Sequence, residues 1–203
     1  VLSGTTVTGL VKAGNHLFLT SANTGVFISS DNGATWADFN DSNTLNIAGT
    51  TSVSFNATTN QLIISNKNGL YSTLLTTPPP VAAYTAVSTG LPSNTTVRSI
   101  SNNGSLWLLA TDGGVYISPA NSVNWTASNT GLTTINVNTV VAFQNTLIAG
   151  TASEGIFKAS IASPTWAATN FGFNNLKTYS MACSGEAVVV AATEKGVFVS
   201  KDL

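Results

Sequence analysis

Gly25-Val26-Phe27, Gly69-Leu70-Tyr71, Gly114-Val115-Tyr116, Gly155-Ile156-Phe157 and Gly196-Val197-Phe198 are five copies of one phrase, glycine then aliphatic then aromatic, set 44, 45, 41 and 41 residues apart. Around each copy the apolar residues form short runs or alternate, and helical periodicity is absent. A period of this length carried by strands is the pattern of a β-propeller blade, about four antiparallel strands per repeat. The sequence therefore predicts an all-β chain with one domain over residues 1–203, a five-bladed β-propeller.

A second register supports the first. Gly90-Leu91, Gly131-Leu132 and Gly172-Phe173 recur every 41 residues and mark the passage to the next blade. After it come a strand such as Val97–Ser101, a polar turn, and a continuous apolar run such as Leu106–Leu109. Short apolar runs indicate strands buried on both faces, which stacked blades produce. In the glycine phrase Val115 and Ile117 should face one neighbouring blade and Tyr116 the other. The fourth strand should follow Trp36, Trp125 or Trp166, with Tyr84 standing in for tryptophan in the second repeat. Thr76-Thr77-Pro78-Pro79-Pro80 reads as a surface loop, because proline gives no donor to a ladder. The fifth repeat stops before its tryptophan, which predicts a five-bladed ring with one three-stranded blade. A piece of a larger propeller and an open edge paired to another chain, a route to self-association, are the other two readings of the same count.

Composition narrows the function classes. Only 7% of residues are charged, the net charge is -1, and Arg98 is the sole arginine. The sequence holds no basic stripe to release counterions from a phosphate backbone, so nucleic acid is not an expected partner. Thr, Asn and Ser supply more than a third of the chain, a neutral polar surface suited to an extracellular or cell-surface protein. No apolar run approaches the roughly 20 residues of a membrane span, so no membrane insertion is expected. No leader pattern stands at Val1, and a secretion signal is not part of this sequence. Cys183 has no disulfide partner and reads as a buried structural thiol. With His16 as the only histidine, no Cys/His metal set, triad or nucleophile elbow can be assembled. No cofactor and no catalytic residue are predicted.

Ser29-Ser30-Asp31-Asn32-Gly33-Ala34-Thr35-Trp36 matches the pattern Ser-x-Asp-x-Gly-x-Thr-Trp between the third and fourth strands of a repeat. The chain thus resembles the Asp-box, or bacterial neuraminidase repeat, propellers, which include sialidases, xyloglucan-active glycosidases, receptors and assembly factors. Later copies are eroded, Ser118–Trp125 keeping the serine and the tryptophan. Ser29, Asp31, Gly33, Thr35 and Trp36 read as structural: the carboxylate accepts turn amides, glycine supplies a permissive φ, and the ring packs between blades. The resemblance places these boxes opposite the ligand face. The other face then carries the loops joining strands two and three, with Asn23, Lys67, Asp112, Glu154, Glu194 and Lys195.

Asp112, Glu154 and Glu194 stand just ahead of the glycine phrase, as a ring of carboxylates around the channel mouth or as solvated turn residues. Arg98 could reach the same mouth or line the channel as a satisfied group. Sialidase-like relatives grip a carboxylate with three arginines, which one arginine cannot reproduce. The xyloglucan-active relatives use an aspartate pair in a cleft between two propellers, and the sequence here holds one. The expected ligand-binding residues are accordingly Asp112, Glu154, Glu194, Arg98, Lys67 and Asn23. The expected function is a secreted, non-catalytic binding or adhesion module for a glycan or an extracellular protein, the alternative being a degenerate glycoside hydrolase.

Overall fold

The computed structural model describes residues 4–40, 49–76, 83–170, 176–184 and 188–200. Nineteen strands and no helix occur among them. The first blade holds β1 (Val7–Ala13), β2 (His16–Ser21), β3 (Gly25–Ser29) and β4 (Ala37–Asp38). The second holds β5 (Ser52–Asn56), β6 (Gln61–Asn66), β7 (Gly69–Leu74) and β8 (Thr85–Ala86). The third holds β9 (Val97–Asn102), β10 (Leu106–Thr111), β11 (Gly114–Pro119) and β12 (Thr126–Ala127). The fourth holds β13 (Val137–Phe143), β14 (Thr146–Thr151), β15 (Ile156–Ser160) and β16 (Ala167–Ala168). The fifth holds β17 (Thr178–Ser184), β18 (Val188–Thr193) and β19 (Gly196–Ser200), three strands among the described residues. Each blade is an antiparallel meander in sequence order, so the chain is a five-bladed β-propeller as its repeats predict. The proline run of the second repeat and Gly172-Phe173 lie outside the described residues.

Among the described residues the core falls into four layers, each between two consecutive blades. Phe18 and Val26 of the first blade meet Val53, Leu62, Ile64 and Tyr84 of the second. Ile63 and Leu70 then meet Ile100, Trp107, Leu109, Tyr116 and Trp125. Leu108, Ala110 and Val115 meet Val140, Leu147, Phe157 and Trp166, and Ile148 and Ile156 meet Met181, Val189 and Ala191. Alternate residues of one strand thus serve two layers, with Val115 and Ile117 on one side and Tyr116 on the other. This explains why the middle strands read as unbroken apolar runs.

The outer edge is fastened in the same rhythm. Indole Nε1 of Trp125 donates to Val87 O and that of Trp166 to Ser128 O, both at 2.7 Å and both reaching back one blade. Tyr84 does the same with its hydroxyl, so it replaces tryptophan in chemistry as well as in position. Gly90 and Gly131 lie against those tryptophan backbones, where a Cβ would come within 2.1 and 2.2 Å of Trp125 O and Trp166 O. Trp36 departs from the expected burial between blades: its indole bonds to Gly33 O of its own turn at 3.1 Å and it is only half-buried.

Why glycine opens each third strand is now a matter of space and backbone. Asn129 caps the start of β11, its Oδ1 accepting the Val115 amide at 2.8 Å and its Nδ2 donating to Gly113 O at 3.0 Å. A Cβ on Gly114 would lie 2.2 Å from that Oδ1, at a φ of +107. Asn40, Ser88 and Asn170 accept the amides of Val26, Leu70 and Ile156 in the same way.

Candidate functional site

Antiparallel order sends the turns between second and third strands, and the connections from one blade to the next, to one end of the blades. Asn23, Lys67, Asp112, Glu154 and Glu194 all lie at that end. The Ser29–Trp36 turn lies at the other. There Asp31 Oδ1 accepts the Thr35 amide at 2.8 Å, its Oδ2 accepts the Thr35 hydroxyl at 2.5 Å, and the Ser29 hydroxyl donates to Oδ1 at 2.8 Å. Ser29 Oγ accepts the Gly33 amide, and Asn32 and Gly33 take φ of 58 and 92. The Thr35 hydroxyl foremost, then its amide, with the Ser29 hydroxyl, holds the Asp31 carboxyl at about 2. Among the described residues, the bonds of this carboxylate go to Ser29 and Thr35 of its own turn.

The three acids separate into two kinds. Asp112 donates its amide to Thr96 O at 3.2 Å and accepts the Thr96 amide on Oδ1 at 3.0 Å. Glu194 repeats this against Lys177, with the amide at 3.0 Å and Oε1 at 3.4 Å. Both side chains therefore tie a turn to the connection entering their own blade. In the fourth blade the tying position is Ala152, bonded to Asn136 O at 2.9 Å, and Glu154 falls two residues later. Its carbonyl accepts Asn170 Nδ2 at 3.0 Å and its amide bonds to the Thr151 hydroxyl. Asn23 and Lys67 are exposed turn residues.

Arg98 sits on a β-bulge. Val97 pairs with Thr111 and Ser99 with Ala110, which leaves Arg98 as the extra residue at the mouth end of β9. Its guanidinium donates to Val137 O at 3.1 Å and to Asn136 Oδ1, both in the next blade. The same bulge recurs in β1, β13 and β17 at Thr8, Asn138 and Tyr179. Asn138 Nδ2 donates to Thr178 O at 2.9 Å, and the Thr51 hydroxyl to Val97 O at 3.0 Å. Arg98 is thus both at the mouth and satisfied, one member of a series of staples between innermost strands. Sequence reading finds Arg98 and misses Asn138, whose place depends on a register shift that no local pattern announces, and Thr51, which stands just ahead of β5.

At this end a groove of about 320 Å³ opens between the second and third blades. Its walls include Lys67, Asn68 and Ser88 on one side and Pro92, Asn94 and Thr95 on the other. The groove offers an ammonium, amide and hydroxyl groups, and a strip of apolar backbone-rich surface, with no aromatic ring on its walls. Of the expected ligand-binding residues, Lys67 alone lines it. Among the described residues no group of three or more His, Cys, Asp or Glu is placed to hold a metal ion. No helix is long and apolar enough to cross a membrane.

No protein-family model matches the chain, and no curated protein does either. Solved structures do. The extracellular domain of a putative hybrid two-component system of B. thetaiotaomicron superposes at a TM-score of 0.78 with 14% identity, over 99% of this chain and 27% of that one. A structure titled YCF48 bound to D1 peptide gives 0.73 and 12% identity, over 98% and 65%. An ancestral GH74 enzyme gives 0.67 and 20% identity, over 92% and 27%. The chain spans about a quarter of the two-component and GH74 structures it resembles. At these identities the likeness shows the fold, and the fold it shows is a β-propeller.

Proposed function

We propose that this protein is a non-catalytic β-propeller of the Asp-box type that acts outside the cell as a binding module, taking an extended segment of a partner protein in the groove between its second and third blades. The observation that carries the reading is the groove itself, an open channel at the mouth end whose walls present Lys67, Ser88, Asn94 and Thr95. Amide and hydroxyl groups of this kind suit a polypeptide backbone, which offers donors and acceptors in alternation. A glycan would be expected to rest on an aromatic face, and none lines the groove. Asp112 and Glu194 support a non-catalytic role, since each is engaged with the backbone of its own blade. The Ser29–Trp36 geometry supports the Asp-box assignment, and the neutral Thr/Asn/Ser surface supports an extracellular setting. Neighbours that are an extracellular domain and a peptide-bound protein agree with both.

The test is a parallel screen of peptide and glycan arrays with the wild-type protein and with Ser93→Trp, which fills the groove from an exposed position. The reading expects peptide ligands whose binding falls at least tenfold in Ser93→Trp. Ligands that bind both proteins equally contradict the groove, and glycan-only binding replaces the partner class.

A further inference from the structure

Two features of the second blade bear on its groove. The first is the turn between its second and third strands. Asn66 pairs with Gly69, Thr111 with Gly114 and Thr193 with Gly196, so Lys67, Asp112 and Glu194 each open the same two-residue turn. Asp112 and Glu194 use their carboxylates to accept a backbone amide of the connection entering their own blade. An ammonium has only donors and cannot repeat that bond. The Lys67 stem lies instead against the entering connection, its Cβ, Cγ and Cδ 3.4, 3.6 and 3.7 Å from where a Cβ on Gly49 would stand. With those methylenes in contact, the charged end is the part left to reach outward. No other charged side chain lines the groove.

The second feature is the residue that caps the third strand. Asn40, Asn129 and Asn170 each use two arms: Oδ1 accepts the amide of Val26, Val115 or Ile156, and Nδ2 donates to the carbonyl of Thr24, Gly113 or Glu154. Ser88 has one arm. Its hydroxyl accepts the Leu70 amide at 3.0 Å, and among the described residues no side chain caps Asn68 O in the same way. Asn68 and Ser88 both line the groove. The groove thus lies where one charge is reversed and one capping bond is left out.

We infer that the segment taken by this groove carries an acidic side chain, whose carboxylate accepts from Lys67 Nζ while a backbone amide of the same segment donates to Asn68 O. The inference rests on the proposed peptide-binding reading and adds the chemical class of the ligand to it. Charge complementarity makes the choice, since a lone cation on an otherwise neutral wall favours an acid, gains nothing from a neutral residue and repels a basic one. The ion pair is open to solvent on one side, so it discriminates between ligands more than it strengthens binding, and added salt weakens it.

A combinatorial library of short peptides, acetylated and amidated so that side chains supply every carboxylate, tests the inference against four proteins: wild type, Lys67→Gln, Lys67→Arg and Ser93→Trp. Wild type should prefer Asp or Glu at one position over Asn or Gln by about fivefold, the upper end for a pair partly in solvent. Lys67→Gln should bind acidic and amide members alike, and Lys67→Arg should keep the preference. Ser93→Trp should weaken both kinds of member. Lys67 is exposed, so far-ultraviolet circular dichroism should report unchanged folding for its two variants. Two results overturn the inference and leave the groove standing: binding that Ser93→Trp weakens but that shows no acidic preference, or a preference that survives Lys67→Gln. Peptide binding untouched by Ser93→Trp, or no binding by wild type, overturns the groove reading and this inference together.

Discussion

Tyr84 of the second blade donates its phenolic hydroxyl to the carbonyl oxygen of Phe39 in the first at 3.1 Å, and both residues are buried. Phe39 holds the place that Val87 and Ser128 hold in later blades, each with its amide bonded to the first aliphatic residue of the preceding strand. Tyrosine and tryptophan therefore answer one geometric demand, a donor at the end of a flat ring that can cross to the neighbouring blade. Tyr84→Phe leaves that carbonyl without its partner and should lower stability by about 1–3 kcal/mol, the usual range for an orphaned buried acceptor. Tyr84→Trp should retain more of the stability, and chemical denaturation of the three proteins measures the order.

Trp36→Phe should be milder than Trp125→Phe. The Trp125 indole links two blades and is buried, whereas the Trp36 indole bonds within its own half-buried turn. About 1–3 kcal/mol is expected for Trp125→Phe and under about 1 kcal/mol for Trp36→Phe, read from paired denaturation curves.

Gly131→Ala and Gly114→Ala separate two reasons for glycine. At Gly131 the added Cβ meets the backbone oxygen of Trp166, which nothing short of blade movement relieves. At Gly114 it meets the Asn129 side chain, which a second change can remove. Both positions also have positive φ, so each alanine carries strain of about 1–3 kcal/mol. Asn129→Ala should therefore soften the further loss caused by Gly114→Ala, and should leave that of Gly131→Ala unchanged. A double-mutant cycle measures the difference.

Acid should act on the first blade through Asp31. Its carboxyl lies at about 2, below the ordinary 3.8, so the folded state favours the ionised form. The associated stabilisation is complete above 3.8 and is lost as pH falls from there through about 2. Asp31→Asn lacks this contribution, so wild type should melt higher at neutral pH and the two melting temperatures should converge as pH approaches 2. Parallel curves across that window would show that the turn's hydrogen bonds do not favour the carboxylate.

The blades were legible because glycine answers a local fact, a positive φ at all five copies, joined at Gly69, Gly114 and Gly155 by a side chain that an added Cβ would strike. Tyr84 was legible for a related reason, since it occupies the tryptophan position and an aromatic donor was needed there. Glu154 is not the counterpart of Asp112 and Glu194 that counting from the glycine suggests, since the turn in the fourth blade places Ala152 at the tying position. The Arg98 and Asn138 staples were not legible as a set. A bulge has no composition of its own, and its effect emerges only when two strands are paired. The groove was invisible for the same reason, because its walls come from segments of two blades.

The most direct measurement of the account is amide hydrogen exchange of the whole chain with and without a ligand obtained from the array screen. Protection is predicted at residues 67–69 and 91–95, the two walls of the groove, with residues 29–36 unchanged. Protection confined to residues 29–36, or to the end of the blades that holds them, would contradict the placement of function at the channel mouth.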